Sequence, residues 1–244
     1  MIEVVEASKR FGTLEAVSQL SFTVNPGEVV GLLGENGAGK TTTMRLISGI
    51  LQPSDGEIRI GGILTSTEPL AARKQVGLLF GGDVGLYGRL TAWENIAYFG
   101  RLYGMAERQL RERIAQASEK LGMESYVRKR VAGFSRGMRQ KVAIARALVH
   151  DPPVVLLDEP TTGLDVSGAL VFRELIAQLR QEGKAILFSI HNMSEVKKLC
   201  DRVVIMHKGR IRFQGTIEEW RAPYDSDDPT DWFLPVIQGG GCDE

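Results

Sequence analysis

Short runs of apolar residues recur along the chain, and stretches with helical spacing of apolar and polar positions separate several of them. The runs lie at residues 29–33, 75–80, 154–157, 185–190 and 203–206. Within residues 166–179 the apolar side chains instead fall broadly on one face of a helix. Continuous apolar runs alternating with helices are typical of buried parallel strands. The pattern therefore predicts an α/β fold in which helices cover a parallel sheet.

The pattern changes between residues 86 and 132. Residues 91–103 and 107–121 have helical periodicity with one polar side, and no strand pattern lies between them. Thr91, followed three residues later by Glu94, has the spacing of a capping box at a helix start. We therefore predict an α-helical subdomain inserted between two strands of the sheet.

The two ends of the chain also differ in pattern. Residues 1–64 are rich in strand patterns apart from the helix that follows residue 41. After Trp220, residues 222–229 are rich in proline and aspartate, and residues 239–241 are consecutive glycines. We expect residues 1–220 to form one domain and residues 221–244 a poorly ordered tail, in which Trp232, Phe233 and Leu234 are apolar enough to dock.

Composition narrows the class of protein. The 244 residues are 43% hydrophobic and 25% charged, as in an ordinary globular domain. Lysine plus arginine total 30 and aspartate plus glutamate total 30, so the basic excess expected of a nucleic-acid partner is absent. Cys200 and Cys242 have no metal-ligand spacing, and no secretory signal is visible. No stretch reaches the ~20 apolar residues of a membrane span, so a function at a membrane requires another chain.

A glycine-rich segment between a predicted strand and a predicted helix carries the strongest chemical signal. Residues 34–41 fit the phosphate-binding pattern G-x-x-x-x-G-K-[ST]. Its glycines let successive N–H groups turn toward phosphate oxygens, and the following helix dipole favours the same anion. Lys40 can reach the terminal phosphates, and the Thr41 hydroxyl can bind Mg²⁺. The alternative is a purely structural turn. The predicted nucleotide-binding residues here are Gly34, Glu35, Asn36, Gly37, Ala38, Gly39, Lys40, Thr41 and Thr42.

Two adjacent carboxylates follow the apolar run at residues 154–157. In a P-loop protein, an aspartate at the position of Asp158 holds Mg²⁺ directly or through water. Glu159 is then placed to polarise a water molecule for attack on the terminal phosphorus. Neighbouring side chains on a strand point to opposite faces, which favours separate roles for the two. The alternative is two solvated acids at the end of a strand.

A second candidate anion site lies at the start of a predicted helix that runs to about residue 149. Ser135 and Gly137 occupy its first turn, where N–H groups have no partner within the helix. Taken alone, Ser135 is also explained as an ordinary N-cap.

Five motifs together resemble those of ABC ATPases. Residues 34–41 are similar to the Walker A motif, residues 134–138 to the signature, residues 158–165 to Walker B and the D-loop, and residues 189–193 to the switch-histidine segment. The resemblance runs in family order from about residue 2 to residue 219. It implies a P-loop NTPase core, with a RecA-like parallel sheet and helices, plus an antiparallel β subdomain and the inserted α-helical subdomain.

The resemblance also implies an ATP-sandwich dimer with Mg²⁺. Ser135 and Gly137 would contact the terminal phosphate bound by a second copy of the chain, and Asp165 of the D-loop segment joins the nucleotide-binding residues. His191 would hold the attacking water with Glu159, so Glu159, His191 and Lys40 form the predicted catalytic set. Thr41 and Asp158 are the predicted metal ligands.

The resemblance also assigns a role to one aromatic residue, whereas it assigns none to two of the three histidines. Phe11 matches the aromatic residue that stacks on adenine, although a core phenylalanine is the alternative. His150 and His207 are interpreted as packed or surface histidines.

Two segments depart from the family pattern. The usual glutamine after the strand at residues 75–80 is replaced by Gly81-Gly82-Asp83, where Asp83 is the candidate substitute. Arg136 stands where the signature usually has its first glycine, and Met138 follows Gly137 where glutamine is usual. These departures, with residues 86–95, resemble an exporter branch typified by bacterial sodium-extrusion ATP-binding subunits.

The expected function is therefore ATP hydrolysis that powers a multi-span membrane permease from the cytoplasmic face of the membrane. The resemblance to the sodium-extrusion branch implies sodium export. One alternative is a soluble ABC ATPase of translation or DNA repair, which would usually carry tandem ATPase halves, long insertions or basic tails. Another is a non-hydrolysing ATP-binding regulator, which the presence of both Glu159 and His191 disfavours.

Overall fold

The computed structural model describes residues 1–80, 85–161, 164–190 and 193–238. The strands are β1 Ile2–Phe11, β2 Leu14–Val24, β3 Val29–Gly34, β4 Asp55–Ile60, β5 Ile63–Leu64, β6 Val76–Leu79, β7 Val154–Asp158, β8 Ala185–Ser189, β9 Arg202–His207 and β10 Arg210–Thr216. The helices are α1 Lys40–Ile47, α2 Pro69–Lys74, α3 Ala92–Leu102, α4 Glu107–Lys120, α5 Arg136–Leu148, α6 Val166–Gln181, α7 Met193–Leu199, α8 Ile217–Arg221 and α9 Pro229–Gln238.

These strands form two sheets. The central six-stranded sheet has the order β10-β9-β3-β8-β7-β6, and its neighbours are parallel except for the β9–β10 hairpin. The second sheet is antiparallel, with the order β2-β1-β4-β5. Each apolar run predicted as a strand lies in the central sheet. The predicted parallel sheet and antiparallel β subdomain are therefore confirmed.

The alternation of side chains along the central strands divides the core in two. In β3, Val29 and Leu33 pack with the helices α3 to α6 and α9 on one face. Val30 and Leu32 point to the other face, where they pack with α1 and the antiparallel sheet. Because successive side chains on a strand alternate between faces, both faces of the sheet can be apolar only if the whole run is apolar. Helix α1 thus lies between the two sheets.

The predicted helical insertion is present between β6 and β7. Helices α3 and α4 pack on α5, and their buried side chains, such as Ile96 and Leu110, belong to the same core as the sheet. The capping box at the start of α3 is confirmed, because Thr91 Oγ1 accepts a hydrogen bond from Glu94 N at 3.1 Å. The Glu94 carboxylate accepts one from Thr91 N at 2.7 Å.

The end of the described chain differs from the expected poorly ordered tail. Residues 229–238 form α9, in which Trp232 is fully buried and meets Trp220 of α8 edge to face at 5.4 Å. Trp232 Nε1 donates to the Ser226 carbonyl at 2.8 Å, so the polar end of the ring is satisfied as well. Burying two indoles outweighs the disorder-promoting composition of the connecting segment. Within the described residues, no helix is both long and apolar enough to cross a membrane.

Candidate nucleotide-binding site

The phosphate loop connects β3 to α1 through backbone geometry that only glycine readily adopts. Gly39 has φ of 103°, and a Cβ built there would lie 2.8 Å from the Ala16 carbonyl oxygen. A Cβ at Gly34 would lie 2.5 Å from the Met206 carbonyl oxygen. Gly39 is also the N-cap of α1 and makes no side-chain capping bond. The first-turn N–H groups of α1 are therefore left for an anion.

Lys40 lies inside this loop. Its side chain is buried, and Nζ donates hydrogen bonds to the Gly34 carbonyl at 2.7 Å and the Glu35 carbonyl at 3.0 Å. Burial lowers the pKa of Lys40, while the negative charges of Glu159 and Asp158 act in the opposite direction. These carboxylates and the loop carbonyls hold the ammonium group at the phosphate loop.

An open cavity of about 560 Å³ adjoins the loop. Phe11 is 46% exposed at this cavity, so it is not a core residue, and Lys9 Nζ lies 5.4 Å from its ring centroid. The ring is available for stacking, as its predicted role requires. The lining residues are Phe11, Leu14, Glu15, Ala16, Asn36, Gly37, Gly39, Lys40, Thr41, Thr42, Glu159, Lys208 and Gly209.

The end of β7 brings Asp158 to the phosphate loop. Asp158 is 7% exposed, and its Oδ2 accepts a hydrogen bond from Thr41 Oγ1 at 3.3 Å. A hydroxyl and a carboxylate are hard oxygen ligands, and Mg²⁺ is commonly bound by one or two protein oxygens together with substrate phosphates. The two predicted metal ligands therefore lie together and fit that ion. When bound, Mg²⁺ would neutralise developing charge on the phosphates.

Ser189 joins this cluster, although sequence reasoning assigned it no role. It is fully buried at the end of β8, and its hydroxyl donates to Asp158 Oδ1 at 2.5 Å. The Ser189 hydroxyl oxygen also accepts a hydrogen bond from the Glu159 backbone N–H at 2.9 Å. The available sequence signal was a polar residue ending an otherwise apolar strand. Its pairing with Asp158 across β7 and β8 is visible only in the sheet register.

The β9–β10 turn supports the loop from the other side and was also missed. Gly209 N donates to the Ala38 carbonyl at 3.1 Å, and its own carbonyl accepts from Ser18 N at 2.8 Å. His207 Nδ1 lies 3.3 Å from a Glu35 carboxylate oxygen. The turn thus connects the phosphate loop to β2.

The signature residues lie apart from this cavity. Ser135 is an exposed N-cap of α5, and its Oγ accepts a hydrogen bond from Met138 N at 3.2 Å. Gly137 is half-buried in the first turn, and neither residue lines the cavity. Their contact with nucleotide stays a prediction that requires a second chain.

Asp165 is also an exposed N-cap, at the start of α6. Its Oδ1 accepts hydrogen bonds from Gly168 N at 2.7 Å and from Ser167 Oγ at 3.0 Å. These hydrogen bonds lower the pKa of the Asp165 carboxyl. Asp165 does not line the cavity, so its nucleotide contact also stays a prediction.

Two of the predicted residues, His191 and Asp83, lie outside the described residues. The structure does describe His150, which was predicted to have no catalytic role. His150 packs on Tyr103 with parallel rings 3.6 Å apart, as expected for a structural histidine. Burial lowers the pKa of His150 to about 4.

Comparison with known proteins agrees with this geometry. A model of the ABC transporter family matches residues 17–162. The chain is 50% identical to the ABC transporter ATP-binding protein NatA of Bacillus subtilis strain 168 over 244 residues, covering 98% of this chain and 99% of that protein.

Two solved structures are similar over most of their length. An ATP-binding subunit of an ABC transporter matches with a TM-score of 0.89 at 30% identity, covering 97% of this chain and 99% of that chain. A dimeric ATP-binding cassette in a post-hydrolysis state, bound to ADP and Pi, matches with a TM-score of 0.81 at 25% identity, covering 89% and 99%. The chain therefore belongs to the ABC transporter family, whose ATP-binding cassettes hydrolyse ATP to power transport.

Proposed function

We propose that this chain is the ATP-hydrolysing subunit of an exporter and that it powers separate membrane subunits. The observation that carries the proposal is the convergence of Lys40, Thr41 and Asp158 at one end of the central sheet, next to Glu159. Four separate requirements of phosphoryl transfer are met there: an anion cradle, a cation, metal ligands and a carboxylate base.

Each group has a distinct part in hydrolysis. The loop N–H groups and Lys40 hold the phosphates of ATP and stabilise the charge that develops on them. Thr41 and Asp158 would hold Mg²⁺ by their oxygens. Glu159 orients a water molecule and accepts its proton as the oxygen attacks the terminal phosphorus, and ADP leaves.

A second copy of the chain completes the proposed site. Ser135, at the start of α5, is exposed and does not line the cavity at the chain's own phosphate loop, which supports contact with ATP across an interface. The dimeric ADP-bound cassette supports pairing of this kind in a protein of the same fold. In a two-fold dimer, each phosphate loop would face the α5 start of its partner.

Mixing two inactive variants tests the pairing. Lys40→Ala and Ser135→Ala should each have low ATP turnover when assayed alone. A mixed dimer contains one site with both defects and one intact site. Random pairing should therefore restore about a quarter of wild-type turnover if the two sites act independently. A mixture with no more turnover than the separate variants would contradict the shared site.

The membrane partner would contact the helical subdomain and the segment at residues 81–88. The family of the chain supports a peripheral position on the cytoplasmic face. Sodium is the proposed cargo. The sequence resembles the sodium-extrusion branch at residues 81–83 and 136–138, where it departs from the usual family motifs, and at residues 86–95.

Reconstitution tests the exporter and its cargo. A tagged chain purified from detergent-solubilised membranes should carry a multi-span protein, and that complex should move radioactive sodium in proteoliposomes only with ATP and Mg²⁺. The same complex with Glu159→Gln is the matched control. Co-purification with ribosomes or nucleic acid instead would favour a soluble ABC ATPase of translation or repair. ATP-driven transport without sodium movement would contradict sodium as the cargo but not the exporter role.

A further inference from the structure

We propose that Ser189 is a positioning residue for hydrolysis, acting through Asp158 and Glu159. The inference rests on the proposed roles of those two carboxylates. One buried hydroxyl contacts both residues: it lies 2.5 Å from Asp158 Oδ1 and 2.9 Å from Glu159 N. The two contacts engage the side chain of one acid and the backbone of the other.

The direction of both hydrogen bonds follows from the groups present. A backbone N–H can only donate, so the Ser189 oxygen accepts the bond from Glu159. The single proton of the Ser189 hydroxyl is then free to be donated, and Asp158 Oδ1 receives it. Asp158 Oδ1 is therefore held by the Ser189 hydroxyl, while the same hydroxyl oxygen holds the Glu159 backbone.

The contact to Glu159 supports an unusual backbone conformation. Glu159 has φ of 49°, in the left-handed region that non-glycine residues seldom adopt. Such conformations persist where surrounding contacts hold them, and they occur often at functional sites. The Ser189 hydroxyl holds the N–H of this same residue. Loss of the hydroxyl would remove this contact from the backbone whose φ and ψ aim the proposed base.

The contact to Asp158 distinguishes its two carboxylate oxygens. Oδ1 is engaged by Ser189, whereas Oδ2 faces the Thr41 hydroxyl at 3.3 Å. Oδ2 is therefore the oxygen that contacts the second proposed metal ligand. Mg²⁺ demands near-ideal octahedral geometry, while larger cations accept bidentate carboxylates. Ser189 would keep Asp158 a one-oxygen ligand and so favour Mg²⁺.

Three variants of the full chain test this role. Ser189→Ala removes the hydroxyl, Ser189→Thr keeps it, and Ser118→Ala is the matched control. Ser118 is also a buried serine, with its hydroxyl donating to the Ile114 carbonyl at 2.6 Å on α4 in the helical subdomain. Measurements are kcat and KM for ATP, the fraction folded, and binding of a non-hydrolysable ATP analogue with EDTA or with increasing Mg²⁺.

The expected result separates turnover from binding. Ser189→Ala should lower kcat by about 10- to 100-fold, the usual effect of losing a partner that orients a metal ligand. Affinity for the analogue in EDTA should not change, whereas the Mg²⁺ concentration for half-maximal enhancement of binding should rise about tenfold. Ser189→Thr should recover most of the kcat, and Ser118→Ala should retain wild-type kcat.

Two results would overturn the inference while leaving the proposed ATPase role intact. One is a Ser189→Ala protein with wild-type kcat and Mg²⁺ dependence. The other is a loss of turnover that is fully accounted for by a smaller folded fraction, since this would show a structural role only. Absence of ATP turnover in the wild-type chain would instead count against the proposed function.

Discussion

The phosphate loop and the start of α5 are both helix N-termini, but their surroundings differ. At α1 the N-cap Gly39 makes no side-chain capping bond, and the next residue, Lys40, is buried. At α5 the N-cap Ser135 uses its own hydroxyl to accept from Met138 N, and it is exposed. The first terminus adjoins a cavity that also contains Glu159, whereas the second lies on the surface.

This difference shows how a single chain can build one functional site and present part of another. Free N–H groups at a helix N-terminus need a partner. At α1 no side chain supplies it, so phosphate oxygens are the natural partner. At α5 a serine supplies one bond, and the exposed first turn remains open to another molecule. Variants at the two termini should therefore affect different steps.

Glu159→Gln should have the largest effect, confined to hydrolysis at the phosphate-loop side. Removing a general base is expected to lower kcat by about 10²- to 10⁴-fold. ATP binding should persist, and an ATP-dependent dimer should accumulate, as judged by size-exclusion chromatography. Glu174→Gln, an exposed acid on α6, is the control. A Glu159→Gln variant that stays monomeric with saturating ATP and Mg²⁺ would count against the sandwich.

Lys40→Ala should weaken nucleotide binding by one chain. In the proposed site the lost cation would contact terminal phosphates in a poorly solvated position, so we expect a loss of about 10²- to 10³-fold in turnover with a clear loss of affinity. Calorimetry with ATP measures the affinity directly. Lys198→Ala removes an exposed lysine of α7 and should bind ATP normally. Unchanged ATP affinity in Lys40→Ala would contradict the assigned role.

Ser135→Ala should leave ATP binding by one chain unchanged and reduce turnover of the dimer. Loss of the cap should also cost about 1 kcal/mol of stability. Thr216→Ala is a matched control, since Thr216 caps α8 through a 3.1 Å bond from Glu219 N and does not line the cavity. Both variants should have lower melting temperatures, but only Ser135→Ala should lose turnover. Equal turnover in Ser135→Ala and Thr216→Ala would show that Ser135 acts only as a helix cap.

Phe11→Ala should have the smallest effect. Stacking of an exposed aromatic ring contributes about 0.5–1.5 kcal/mol, which corresponds to about a twofold to tenfold loss of ATP affinity. Phe11→Tyr keeps the aromatic face and should bind as the wild type does. Fluorescence titration with ATP distinguishes them. An equal loss in both variants would indicate that shape, rather than stacking, governs the contact.

Residues near one another in sequence were predicted best. The glycines of the phosphate loop and the Thr91 capping box act over a few residues, so their spacing specifies their geometry. The central strands were also predicted, because strands buried on both faces must be continuously apolar. The sequence indicated that Trp232 is apolar enough to dock, but neither the helix at residues 229–238 nor the Trp220 partner was predicted. Trp232 finds its partners only after the chain has folded around them.

The sequence by itself determined a triphosphate-binding loop and, in a separate strand, two adjacent acidic residues, because each is a local pattern with a local cause. The tertiary structure alone decided which residues from distant parts of the chain become neighbours. Asp158 and Ser189 are 31 positions apart, and only the parallel register of β7 and β8 makes them neighbours. The structure also decided that the loop adjoins a cavity while the start of α5 stays on the surface. Long-range strand pairing depends on the packing of the whole core, which no short window of sequence contains.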